Sequence, residues 1–585
     1  MKPNFIRSIF FAFVILYFFN LFLYPHSDPR IFHRIFAYIA ILIGTILFYY
    51  LYSNRLAITN NSNSSDSITH KIKSNYETSS EEGFNSKKIY LFYVFIGIIL
   101  SLTFIVHFVL VTFGLQSIFF LGELDFVSMG EIINNIARDG NFTSRFHGDF
   151  QSSYLAHHFA PGLVFYVPFF WLTNDRLILA WSQCFYTLVI IVLIYLNIKK
   201  YNWKSWEYYF WILIFASNIY LYRLSLSYHF EILYVIFFLG IIYFRNQSNI
   251  FGEILCLFSA ISIKEDIAIY LGLFYAIESI TSFKIILGSP KNTIQLGSIN
   301  ISTTEKKEWI LPIKDFCISL FCILTFFIFT PLLRNLMEVN SDENWLSIWS
   351  NWGTTPVQIV TTVIFHPIDF LTSIFAKKNI LLEISMGFAF LFWLSPKHFI
   401  YIFMISCLHF ISSREWHNEL YNYYIYPILP VLIIGTIEGW NRIRKYLGHY
   451  MVPIIFLGLG IIFYRNSLDI NFPFTASNHY KSTSALDEKL YNTKEIVKLI
   501  PNYSIVATEF DLGSFVSLKN KLIPIKEDFS AFGSDSPEYI LIDTDMGFSP
   551  YISLNTIRDW EKSWITEQSY NVFAEKGSLR LLKKK

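Results

Sequence analysis

Thirteen runs of almost unbroken apolar residues dominate this sequence, near 6–24, 31–53, 88–114, 176–198, 205–222, 227–244, 249–263, 266–284, 310–333, 378–395, 398–412, 423–440 and 450–464. A membrane span needs roughly 20 apolar residues to cross about 30 Å of hydrocarbon, so such runs predict transmembrane helices rather than a soluble core. Composition agrees with them: 53% of the 585 residues are hydrophobic and only 15% are charged, where about a quarter is usual for soluble domains. The 46 Lys+Arg and 44 Asp+Glu nearly cancel, which argues against a nucleic-acid binder. The expected fold class is therefore an all-α polytopic membrane domain of about 13 transmembrane helices.

Two further apolar stretches, 158–173 and 356–376, are interrupted by Pro161 and Pro168 in the first and by His366, Pro367 and Asp369 in the second. Both read as helices lying at the membrane surface. Lys2 and Arg7 precede the first run as in a signal peptide, but Tyr24-Pro25-His26 stands where a small-residue cleavage site belongs, so the run reads as an uncleaved span. With the N-terminus cytoplasmic, the basic residues Arg55, Lys71, Lys73, Lys199, Lys200, Arg442, Arg444 and Lys445 all fall on the inner side. Lys377 and Lys378 are the exception. The chain is accordingly expected in the plasma (inner) membrane, multi-pass, with its C-terminal part extracytoplasmic.

The expected organisation is an N-terminal transmembrane hairpin (1–53), a polar cytoplasmic linker rich in Asn and Ser (54–87), a polytopic domain (88–465) with a large first outer loop (115–175), and a soluble C-terminal domain (466–585). Residues 466–585 carry 14 Lys+Arg and 16 Asp+Glu, and short β-rich runs at 504–508, 539–543 and 579–582 alternate with helix-like segments at 484–499 and 554–567. That alternation predicts a small α/β domain. No glycine-rich phosphate loop opens its helices, and a structural or partner-binding cap is favoured over a second active site. Cys184, Cys256, Cys317, Cys322 and Cys407 all sit in apolar runs without C-x-x-C spacing and read as core residues rather than ligands or disulfides.

Ionisable groups beside membrane spans are costly unless they pair or line a cavity, so they mark candidate sites. In the expected topology they gather on the outer side: Glu123 and Asp125, then His157 and His158, then Arg223 with His229 and Glu231, then Lys264-Glu265-Asp266, and last Arg414 to Glu419. Each has a plainer reading. Glu123 suits a helix cap, His158 an interfacial anchor, and Lys264-Glu265-Asp266 an exposed turn. His229 and Glu231 lie two apart, on different faces of an ideal helix, and no H-x-x-x-H spacing occurs; no cofactor is indicated, and a divalent metal stays an open alternative. The aromatic residues read as packing and lipid contact.

At these motifs the chain resembles the membrane-protein family catalogued as domain of unknown function 2079. The resemblance runs from about 88 to 575 and is carried by Asp125 with Glu131 and Asn134, by His158-Phe159-Ala160-Pro161, His229-Phe230-Glu231, Lys264-Glu265-Asp266, the aromatic and proline-rich run 421–430, and the two C-terminal runs 500–507 and 539–543. Gly130 stands where the family usually has a second acidic residue, and Tyr228 is a departure before His229.

That family in turn resembles the C-type glycosyltransferase superfamily, whose members move a sugar from a polyprenyl-phosphate carrier to an envelope acceptor. The resemblance implies a glycosyltransferase C-like fold, with Asp125 as the base that deprotonates or orients the acceptor hydroxyl. It also implies that Lys264, with Arg223, neutralises the carrier phosphate, and that His158 or His229 binds phosphate or sugar hydroxyls. Glu123, Glu231, Glu265 and Asp266 complete the expected substrate-binding set. Membrane lipid and the polyprenyl-phosphate sugar donor are the expected partners. Two other readings are a lipid or solute transporter, which predicts inverted repeats and mid-span charges that are not seen here, and a non-catalytic family member acting in envelope assembly.

Overall fold

The computed structural model describes residues 38–43, 45–46, 125–143, 153–201, 203–216, 218–287, 303–336, 345–420, 422–467, 484–525, 537–545 and 553–585. The expected spans at 6–24 and 88–114, most of 31–53, and the linker at 54–87 lie outside these residues.

The expected set of 13 crossings does not hold. Among the described residues two helices are long and apolar enough to cross a membrane, Ile178–Ile198 with 21 residues and Ile310–Leu333 with 24. A third is reached only if Val357–Phe365 and Pro367–Ala376, bent by 94°, count as one broken span. The reason is length. The apolar runs break into shorter helices, among them Ser205–Ala216, Ile219–Leu226, Ile232–Asn246, Ile250–Ile261 and Lys378–Gly387. At 1.5 Å per residue, 15 residues reach only about 22 Å, short of the hydrocarbon thickness. Polar caps set the breaks: Asn218 accepts from the backbone of Tyr220 and Leu221, and Asn249 from that of Gly252. A glycosyltransferase C-like domain of about 13 spans is thus not what these residues form.

Much of the apolar surface faces protein. In Ile232–Asn246 the residues from Ile232 to Ile242 are nearly all buried, and the helix packs between its antiparallel neighbour Ile250–Ile261 and the span Ile178–Ile198. Ile310–Leu333 differs, exposing Phe316, Leu320, Phe327, Ile328 and Leu332. The surface helices expected at 158–173 form a tight turn, Pro161–Tyr166, and a short helix, Val167–Phe170.

The C-terminal part contains a five-stranded sheet of β1 (Ile505–Thr508), β2 (Lys521–Pro524), β3 (Tyr539–Asp543), β4 (Tyr570–Lys576) and β5 (Leu579–Lys584), in the order β2-β1-β3-β5-β4. β1 runs parallel to both β2 and β3, and β5 is antiparallel to β3 and β4. Alternation along the strands divides the side chains between two cores. Ala507, Ile523, Ile540, Ile542 and Leu582 pack under helix Leu554–Thr566 through Ile557 and Trp564. Val506, Leu522, Tyr539 and Leu541 share the large core of the helical part.

Helix Asp125–Asp139 provides that second contact. Its Glu131 accepts from Arg176 Nη2 at 2.9 Å and from the Leu522 backbone at 3.1 Å, while Arg176 Nε donates to the Val516 carbonyl at 2.9 Å. Asn134 donates to the Leu518 carbonyl at 2.9 Å. All three side chains are buried, so the sheet is docked by a paired charge and not by apolar contact alone.

Candidate functional site

The helices Ile232–Asn246 and Ile250–Ile261 form a hairpin, and a compensated ionic node lies at each of its ends. At one end Arg245 holds Asp315, with 2.6 Å between Arg245 Nη1 and Asp315 Oδ1, and Lys314 donates to Glu253 at 2.6 Å. Tyr275 and Lys397 complete that node by donating to Glu253 and Glu278. It joins five helices and reads as structural.

The opposite end gathers most of the residues singled out in the sequence. Tyr228 adopts a left-handed backbone, φ 55°, in the turn before Ile232. That kink removes the helical spacing that would have separated His229 from Glu231, and the His229 Nδ1 and Glu231 Oε2 atoms are hydrogen-bonded. The other Glu231 oxygen accepts from Lys264 Nζ at 2.9 Å. Next in the chain, Glu265 contacts His158 Nδ1 at 2.8 Å and accepts from the Phe159 backbone at 3.0 Å. Asp266 accepts from Tyr426 and, at 3.4 Å, from Tyr270 through its Oδ2. The three consecutive ionisable residues are therefore a junction, not an exposed turn.

Gly162 lets the His158 loop reach this junction. Its N–H donates to the Ser262 carbonyl at 2.6 Å, and a Cβ at this position would lie 2.5 Å from Ile263 Cδ1. A side chain here would force Ile263 to move and would press on the Ser262 carbonyl, 3.0 Å from that Cβ, in the turn that leads to Lys264. Gln183, from the span Ile178–Ile198, donates to the His229 carbonyl at 2.9 Å and anchors the other wall.

Burial disfavours every charge here, and the neighbours decide which survive. For Glu231 the burial cost is outweighed by His229 and Lys264, and the carboxyl is held well below its ordinary range. Burial would lower Lys264, but Glu231, Asp266 and Glu265 keep it firmly protonated. Glu265 is pulled down to about 2 because His158 and then Lys264 overcome burial. Asp266 goes the other way: burial raises it and Lys264 offsets only part. Two adjacent carboxyls with opposite shifts are the mark of a site able to hold one proton and one charge at once.

Of the other expected residues, Asp125 is the first residue of helix Asp125–Asp139, whose Phe126 packs edge-on against Tyr228 at 4.9 Å. The start of that helix therefore lies beside the His229 turn. Arg223 sits half-buried on Ile219–Leu226, where its charge acts on Tyr220. Glu123 lies outside the described residues. Among the described residues no three His, Cys, Asp or Glu side chains are grouped to hold a metal ion.

Sequence reasoning missed the tyrosines. Tyr423 stacks on His229 at 3.8 Å, and Lys264 Nζ lies 5.8 and 5.7 Å from the ring centroids of Tyr423 and Tyr426. The aromatic residues read as packing and lipid contact in the sequence, and although Tyr423 and Tyr426 lie in the run 421–430, only the placement of their rings and hydroxyls, and those of Tyr270, beside charged groups marks them individually. His409 was missed too, since nothing in a run of apolar residues marks one imidazole.

The family profile described as "Predicted membrane protein (DUF2079)" matches residues 119–578. No curated protein matches this chain.

Proposed function

The chain belongs to the DUF2079 family of predicted membrane proteins, and from that premise we propose that it transfers a sugar from a polyprenyl-phosphate carrier to a hydroxyl of an envelope acceptor at the outer membrane face. The observation that carries this reading is the pair of adjacent carboxyls, Glu265 held by His158 and Asp266 by the Tyr426 and Tyr270 hydroxyls, beside a buried Lys264 paired with Glu231. Sugar transfer needs a proton acceptor at the incoming hydroxyl and a cation near the departing phosphate. An amphipathic carrier presents its head at the edge of the apolar phase, and the junction lies at the ends of apolar helices.

In this reading Asp266, whose affinity for a proton is raised, exchanges it with the acceptor, and Tyr426 and Tyr270 orient the carboxyl. Asp125, implied by resemblance as the base, shares or takes that role from the neighbouring helix. Glu231 keeps Lys264 charged and in place, and Lys264 with Arg223 supplies positive charge toward the phosphate. His158 and His229 hold the two acidic side chains and line the approach. A divalent metal is not required by any of these roles.

The test is transfer of labelled sugar from a panel of polyprenyl-phosphate donors by the full chain in lipid nanodiscs. D125N and D266N are each expected to lower the rate by about 100-fold or more, the usual worth of a general base. Unchanged transfer by either variant removes that residue from the mechanism. Absence of transfer by the native chain across the panel overturns the reading and favours a transporter or a non-catalytic role.

A further inference from the structure

The junction continues into a second group of buried polar atoms, at the end of helix Pro396–Phe410 and on the short helix Glu415–Asn418 that follows it. His409 and His417 stack face to face with ring centroids 3.9 Å apart, and both are almost wholly buried. His409 Nδ1 lies 3.3 Å from the carbonyl oxygen of His417. A carbonyl only accepts, so Nδ1 carries the hydrogen. Burial pulls this imidazole down to about 3, which leaves it neutral, and in that tautomer Nε2 is a bare lone pair.

Among the described residues Nε2 has no partner. Asn418 is fixed by the same logic: its Nδ2 donates to the Ser412 carbonyl at 3.1 Å, which leaves Oδ1 as an acceptor, buried and unpartnered. Across Tyr270 lies a third. The Tyr270 ring stacks on His409 at 6.3 Å and its hydroxyl reaches Asp266 Oδ2, while Asp266 Oδ1 is buried and unpartnered. His417 Nδ1 is a fourth such atom, accepting or donating according to its tautomer.

Buried polar atoms are rarely left unmatched, and His409 Nε2 and Asn418 Oδ1 are both acceptors. A phosphodiester brings acceptors only and cannot satisfy them. An ammonium group would meet the charge of Lys264, which is felt at both imidazoles. A neutral polyol brings O–H donors without charge. We propose that His409 Nε2 and Asn418 Oδ1, on the far side of Tyr270 from Asp266, form a subsite for the hydroxyls of a sugar ring, distinct from the place of the carrier phosphate. This assignment rests on the sugar-transfer reading and names the residues that would recognise the sugar.

Saturation-transfer NMR on the full chain in nanodiscs tests it, with methyl glycosides of glucose, mannose and N-acetylglucosamine as probes and polyprenyl phosphate measured separately. The native chain is expected to bind at least one glycoside, and H409F to bind it about tenfold more weakly, with polyprenyl phosphate bound alike by both. H409Q keeps an amide N–H for the His417 carbonyl and a carbonyl oxygen toward the subsite, so it should retain binding within about threefold. If H409F does not fold, as judged by gel filtration, N418L carries the same comparison.

The subsite is overturned if the native chain binds polyprenyl phosphate but no glycoside, or if folded H409F or N418L binds glycoside as the native chain does. Binding of zinc or manganese that requires His409 and His417 and excludes the glycoside also overturns it. Glycoside binding that depends on His409, without transfer from any donor, would support the subsite while the transfer reading fails.

Discussion

Glu265 and Asp266 are adjacent in sequence and chemically near-identical, yet their surroundings drive them apart. His158 faces one, and the other meets two tyrosine hydroxyls in a buried wall. The Lys264-Glu265-Asp266 triplet was visible in the sequence as three ionisable residues between apolar runs. Which of them ionises was not, because the partners come from positions 158, 231 and 426, far along the chain. The shifts also have a consequence for stability. Glu265 is depressed from 4.5 to about 2, so its contribution is complete above its unfolded value and is lost as the pH falls from roughly 4.5 to 2. Full loss is on the order of 3 kcal/mol. Asp266, raised in the fold, runs oppositely, favouring the folded state at low pH and ceasing to do so as the pH rises through its folded value. Thermal melting in detergent should therefore fall steeply for the native chain across that acid window and less steeply for E265Q. Equal slopes would show that the His158 contact does not hold the carboxylate.

Individual helices and strands were legible to different degrees. Ile178–Ile198 was readable because its apolar run is long and lacks an internal cap. The run at 205–222 was read as one span, but Asn218 ends one helix and starts another by accepting from two backbone N–H groups. In the C-terminal part β1 and β3 fall on runs marked by β-branched and aromatic residues, and β5 on the leucine-rich run 579–582. β2 and β4 were missed, since Lys521–Pro524 ends in proline at a sheet edge and Tyr570–Lys576 is largely exposed, with no apolar/polar alternation to mark a buried face. Glu131 and Asn134 had been singled out only through family resemblance, and the fold assigns them a visible task, docking helix Asp125–Asp139 to the sheet. Removing the charge of Glu131 leaves Arg176 buried beside it, which costs about 3–5 kcal/mol for a pair of this kind. E131Q is expected to lower the melting temperature and to speed proteolytic release of the C-terminal part. A double variant E131L/R176M should recover part of that loss, because two apolar side chains leave no buried charge behind. Failure of E131Q to change either measurement would mean that the apolar face alone holds the sheet.

For the molecule as a whole, hydrophobicity was read as contact with lipid, and that equation is where the expectation of 13 crossings failed. An apolar side chain is equally satisfied by a neighbouring helix, and composition does not distinguish the two. Exposure does. A lipid-soluble photoprobe should label Phe316, Leu320 and Phe327, which the span Ile310–Leu333 exposes, and should spare Leu233 and Phe238, which are buried in the protein. Equal labelling of both sets, mapped by mass spectrometry, would contradict this division of the apolar surface.

By itself the sequence determined membrane association, an α-rich apolar part, a more polar C-terminal part with alternating strands and helices, and the short list of ionisable residues worth watching. Those follow from local composition and periodicity, which act over tens of residues. Only the tertiary structure decided how many of the described helices are long enough to cross a membrane, that the sheet docks through Glu131 and Arg176, and that His158, His229, Glu231, Lys264, Glu265 and Asp266 meet. The helix count turns on local polar caps that interrupt apolar runs, while the docking and the junction depend on contacts between positions tens to hundreds of residues apart, where burial and charge pairing act through space and leave no periodic trace in the chain.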